Sequence, residues 1–166
     1  MRVYLYCLLL SLSACIVTSP AGAGVMVSFV EPDTYTDTGQ FGREADSAMR
    51  EIEAHLKNLG ERYLPPYQML KIEVLDIDLA GRRPFSTRLN PDTRILEGKA
   101  DWPSIKLHYV LESGSRVLDD RRENVSDMGY LQHPKGKYST QSFPHEKQML
   151  EEWFKQRFAV DKPVRN

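Results

Sequence analysis

The chain has 166 residues, with 22 basic and 23 acidic side chains and a formal net charge of −1. That is one domain's worth of chain. A charge balance this even gives no electrostatic footprint for a nucleic-acid partner. Charged residues make up 27% and hydrophobic residues 41%, which is ordinary for a globular domain.

Residues 1–23 read as an export signal, followed by a single α+β domain over 24–166. Arg2 and the free amine form a small positive n-region, and Val3 to Val17 is mostly apolar. Pro20 then breaks any helix, and Ala21-Gly22-Ala23 places small residues where a signal peptidase reads them. The apolar part is shorter than the roughly 20 residues of a membrane span, and no other segment predicts a transmembrane helix. A second reading competes: Leu12-Ser13-Ala14-Cys15 spells a lipobox, in which Cys15 is lipidated and becomes the membrane anchor. Against it, the apolar core before Cys15 is only about eight to ten residues, and Ile16 and Val17 continue apolar. Cleavage after Ala23 is therefore weighed above lipidation. Cys7 and Cys15 are the two cysteines, so the exported domain has no disulfide, thiol nucleophile or zinc–thiolate site.

Val25 to Val30 predicts a β-branched strand, apolar on both faces, which suits a central position. Glu31-Pro32-Asp33 stops it. From Arg43 to Leu64 an apolar stripe (Ala45, Ala48, Ile52, Leu56, Leu59) recurs at steps of three and four and predicts a helix, closed by Pro65-Pro66. His55 borders that stripe and reads as structural.

Leu70 to Gly81 is the strongest strand. Leu70, Ile72 and Val74 alternate with charged residues, then Leu75, Ile77 and Leu79 become the apolar set. The switch at Val74-Leu75 predicts a bulge or a change of covered face. Asp76 and Asp78 fall on one side near the strand end, and Gly81 closes it.

A short strand is expected over Thr93 to Glu97. Ser104 to Leu111 predicts a strand with Ile105, Leu107, Tyr109 and Leu111 on one face. The charged return strand from Arg116 to Val125 suits an exposed edge. A last helix starts near Ser142 or Phe143, with Pro144 in its first turn and Met149, Leu150, Trp153, Phe154 and Phe158 as its stripe. The order predicts a two-layer α+β sandwich: a mainly antiparallel sheet of four to five strands, with two helices on one face. The first strand–helix–strand unit is compatible with a right-handed parallel crossover.

Phe29-Val-Glu-Pro-Asp33, Asp76-Ile-Asp-Leu-Ala-Gly81, Ile105-Lys-Leu-His-Tyr109, Ser126-Asp127-Met128 and His145-Glu-Lys-Gln-Met-Leu150 followed by Trp153 together resemble domain of unknown function 3016, an exported bacterial family. The resemblance covers most of the chain. It implies export and supplies no activity, catalytic residues or ligand.

The candidate chemistry is thin. Asp76 and Asp78 could together ligate a hard divalent cation or share acid–base work; the structural alternative is a strand end hydrogen-bonded to Arg82, Arg83 or loop amides. His108 is the candidate third group if its strand pairs nearby. Trp102, Tyr109 and the arginines after Gly81 are candidates for a ligand surface. No Gly-x-Ser-x-Gly elbow and no paired-histidine zinc motif occurs. No cofactor is implied. The expectation is a non-catalytic accessory or binding protein of the bacterial envelope, its partner an envelope protein or cell-envelope ligand. It would act through the loops after Gly81 and around His133. The alternative is a hydrolase or divalent-metal-binding protein using Asp76 and Asp78.

Overall fold

The structure, a computed structural model, describes residues 24–38, 42–83, 94–133 and 136–159. The N-terminal segment with Cys7 and Cys15, the 84–93 stretch and the C-terminal tail lie outside the described residues.

The elements run β1 (Gly24–Phe29), α1 (Gly42–Tyr63), β2 (Gln68–Asp78), β3 (Ser104–Ser113), β4 (Arg116–Ser126) and α2 (Pro144–Phe158). The four strands form one sheet in the order β1-β2-β3-β4. β1 lies parallel to β2, with α1 as the crossover, while β2–β3 and β3–β4 are antiparallel. This is the α+β sandwich that the pattern predicts.

One face of the sheet is dry. Leu70, Ile72 and Val74 of β2, Ile105, Leu107 and Tyr109 of β3 and Val125 of β4 join one core cluster. Ala48, Ile52, Leu56 and Leu59 of α1 enter the same cluster, as do Met149, Leu150, Trp153, Phe154 and Phe158 of α2. The rings of Tyr109, Trp153, Phe154 and Phe158 meet edge-on, with centroids 4.9–6.0 Å apart, the geometry aromatic quadrupoles favour. α1 and β1 pack closely because Gly60 has no side chain: a Cβ there would lie 2.2 Å from Val25 Cγ2.

The Val74-Leu75 switch is a bulge. Val74 pairs with Leu107 and Asp76 with Lys106, so Leu75 is the extra residue. The bulge resets the two-residue alternation, so that Ile77 and Leu79 stay in the core while Asp76 and Asp78 stand at its margin.

Three expectations are corrected. β1 is an edge strand, not a central one. Its inner residues Val25, Val27 and Phe29 pack on the core, but Met26 and Ser28 face solvent. Apolar residues on both faces did not require a strand on each side. Four strands are present among the described residues; of the strand expected over Thr93 to Glu97, Thr93 lies outside the described residues and the remainder makes only a single bridge, between Ile95 and Arg82. Tyr109 cannot line a ligand surface: it is buried in the core, and its hydroxyl donates to Asp119 Oδ2 at 2.8 Å.

Candidate functional site

The C-terminal end of β2 gathers most of the charged candidates. After β1 the chain continues along β2 toward its C-terminal end: Tyr35 hydroxyl donates to Val74 O at 2.6 Å, and Asp37 N–H to Ile77 O at 3.1 Å. This brings Thr36 onto Asp76. Thr36 N–H and hydroxyl donate to its two carboxylate oxygens at 2.8 and 3.0 Å, and Lys106 Nζ donates to Oδ2 at 2.9 Å. Burial pushes the Asp76 carboxyl up, but Lys106 and the two Thr36 donors outweigh it and hold it below its usual range. Asp76 is a tied structural anion, and its partners are a loop threonine and a cross-strand lysine rather than Arg82 or Arg83.

Asp78 differs. Burial raises its pKa, the neighbouring carboxylates of Asp37 and Asp76 raise it further, and Arg94 and Lys106 only partly offset them; it stands at about 6. One bulged strand thus carries two carboxylates with opposite proton affinities.

Arg94 closes the strand end. Its Nε donates to Ala80 O at 2.7 Å, and its Nη2 donates to Leu79 O at 3.1 Å, to Gly81 O at 2.5 Å and to Asp37. The planar guanidinium fork suits this gathering of carbonyls at the turn. Gly81 adopts φ +76, and a Cβ there would lie 2.6 Å from Ile95 O, so no other residue fits the turn. Arg82 pairs with Glu97 at 2.6 Å, and Arg83 pairs with Glu44.

His108 is not the third group of the aspartate pair. Its register partners are Glu73 on β2 and Arg122 on β4. Its ring nitrogens meet Glu73 at 3.0 Å and Asp120 at 2.8 Å, and those bonds raise its pKa, Glu73 foremost. Together with Lys71–Glu112 and Lys106–Asp76, these pairs form a lattice of cross-strand charges on the open face of the sheet. Among the described residues, no group of three or more His, Cys, Asp or Glu is placed to hold a metal ion.

Two clefts open nearby. One, of about 570 Å³, lies between the start of α1, the end of β2 and the start of α2, and is lined by Glu44, Ala80, Arg94, Leu96, Phe143 and His145, among others. The second, of about 490 Å³, is lined by Asp127, Tyr130, His133, Tyr138, His145 and Gln148, among others. His133 Nε2 faces Asp127 Oδ2 at 2.9 Å there. His145 lines both clefts and packs edge-on against Tyr130 at 4.9 Å.

Sequence reasoning missed the buried charges of α2. Glu146, Lys147 and Glu151 are all buried. Glu146 accepts the Ala80 N–H at 2.7 Å and fastens α2 to the end of β2. Lys147 pairs with Glu51 at 2.7 Å, and its carbonyl accepts from His55 Nε2 at 2.9 Å. That bond fixes the Nε2–H tautomer of His55, whose burial pushes its pKa down to about 4. Only the position of Glu151 and Lys147 within a helix face otherwise apolar signals their burial in the sequence.

Residues 23–156 match the family described as Protein of unknown function (DUF3016), and the chain belongs to that family. No curated protein and no solved structure matches the chain. Among the described residues, no helix is long and apolar enough to cross a membrane.

Proposed function

We propose that the chain is an exported protein of the bacterial envelope that acts as a non-catalytic accessory or binding protein. The observation that carries this reading is the 570 Å³ cleft at the end of β2, which combines apolar walls (Leu96, Phe143) with polar groups (Glu44, Arg94, His145), the mixture typical of ligand sites. Arg94 and Leu96, which follow Gly81 in the chain, line this cleft, and His133 lines its neighbour. Asp76 and His108 are meanwhile engaged by the sheet's own ion pairs. The test is capture of partners from envelope extract by the wild type and by Leu96→Glu and His145→Ala. A specific partner should be lost with both cleft variants; a partner retained by both places binding elsewhere.

A second reading, a carboxylate-dependent hydrolase, is favoured by Asp78, which stays protonated to about pH 6 and so resembles a group poised for acid–base work. Screening ester, amide and glycoside substrates from pH 4 to 8 tests it. Turnover that follows a pKa near 6 and vanishes in Asp78→Asn supports it; absence of turnover returns Asp78 to structure. Export is read from intact mass: a mature chain beginning at Gly24 supports signal cleavage, and an acylated chain beginning at Cys15 supports a lipid anchor.

A further inference from the structure

Glu151, on the second turn of α2, is over-neutralised. Its buried carboxylate accepts from Tyr138 hydroxyl at 2.6 Å, Tyr63 hydroxyl at 3.0 Å and Lys137 Nζ at 2.6 Å. Lys155 Nζ stands 3.1 Å and Arg62 Nη1 3.5 Å from the same oxygen, Oε1. Three cations therefore converge on one carboxylate oxygen, and among the described residues none of them pairs with another acidic group. Among the described residues, two of the three positive charges therefore have no ion-pair partner of their own.

Those cations are not sealed in. The side chains of Arg62, Lys137 and Lys155 are 41%, 50% and 48% exposed, whereas Glu151 is 6% exposed. Each lysine ammonium has three N–H donors, so further donors remain beyond the one aimed at Glu151. The aromatic rings hold the cations in place: Arg62 and Lys155 lie 5.2 and 5.9 Å from the Tyr63 centroid, and Lys137 lies 4.8 Å from that of Tyr138. The arrangement comes from α1, α2 and the segment before α2 at once, so tertiary packing sets the spacing of the three charges.

We propose that Arg62, Lys137 and Lys155 form a binding site for a phosphate group. The warrant is charge and donor complementarity. A phosphate monoester carries about −1.5 to −2 charges and three strong acceptor oxygens, which matches two positive charges in excess of Glu151 on three half-exposed side chains with further N–H donors. A carboxylate offers half that charge and two oxygens. None of the three cations lines the cleft at the end of β2, so this site stands independently of the binding role proposed for that cleft.

The test measures binding of inorganic phosphate by titration calorimetry, and of phosphatidylglycerol-containing against pure phosphatidylcholine vesicles by co-sedimentation, with the purified protein at low ionic strength. The same measurements are made on Lys137→Gln/Lys155→Gln and on Lys137→Arg/Lys155→Arg. The Gln pair removes two of the three positive charges at contact distance, so it should bind at least about tenfold more weakly. The Arg pair should stay within a few-fold of wild type. Binding of the free ion with that pattern supports a soluble phosphate ester as ligand; binding of anionic vesicles alone with that pattern supports a lipid headgroup. Failure of the wild type to bind either probe at millimolar phosphate overturns the proposal, as does binding that the Gln pair leaves unchanged. Circular dichroism and the charge-keeping pair separate loss of the site from loss of the fold.

Discussion

Replacing Glu151 by Gln keeps the shape of the side chain and removes its charge. In the folded protein, burial alone would raise this carboxyl, but the bonds from Lys137, Tyr138, Lys155 and Tyr63 outweigh it and bring the pKa down to about 2, from 4.5 for the free group. At about 1.36 kcal/mol per pKa unit, the charged form contributes up to roughly 3 kcal/mol. The three cations are about half exposed, so solvent screening lowers this to about 2 kcal/mol. Because the folded pKa lies below the unfolded one, the contribution is complete above about pH 5 and is lost as pH falls from 4.5 through 2. Urea denaturation of wild type and Glu151→Gln should therefore differ by about 2 kcal/mol at pH 7, and the gap should narrow steadily at pH 4 and pH 3. For a domain of this size the pH 7 difference corresponds to a Tm lower by roughly 5–8 °C. A gap under about 0.5 kcal/mol at pH 7, or one that does not change with pH, would refute the assignment of Glu151 as the charged anchor between α1, α2 and the Tyr138 segment.

Other expectations follow from the same kind of reasoning. His55 is neutral when folded, with a pKa of about 4 against 6.5 for the free group; the unfolded state takes up its proton first, so wild-type stability should fall as pH drops from 6.5 to 4, by about 3 kcal/mol. His55→Gln, which keeps a donor for the Lys147 carbonyl, should flatten that window in chemical denaturation curves. Gly60→Ala should destabilise by about 1–3 kcal/mol despite alanine's better helix propensity, since its Cβ would collide with Val25 Cγ2, and Val25→Ala in the same chain should recover part of the loss. The two strand-end aspartates should respond in opposite directions at pH 7.5: Asp76→Asn loses about 1 kcal/mol with its Lys106 and Thr36 partners, whereas Asp78→Asn is neutral or stabilising by up to about 1 kcal/mol because it removes a charge that burial disfavours. Thermal melts of the two single variants decide it; equal losses would contradict the division of roles.

The sequence determined what depends on neighbours along the chain. Period-3.6 stripes mark α1 and α2, two-residue alternation marks β2 and β3, and two adjacent apolar residues, Val74 and Leu75, mark a break in the alternation; the register with β3 decides that this break is a bulge, which keeps both halves of β2 in the core. The charge density of β4 marked it as an edge strand. The two aspartates were found as a pair, since nothing in their spacing distinguishes them. Only the tertiary structure separates them, because the donors to Asp76 come from Thr36, 40 residues away, and from Lys106, 30 residues away. The same holds for β1, whose apolar residues looked central until the sheet order placed it at an edge, and for Glu151, whose five partners come from α1, α2 and the segment between β4 and α2. Local pattern records which side chains avoid water; which charges meet, and what their protons then do, is decided by packing between segments far apart in the chain.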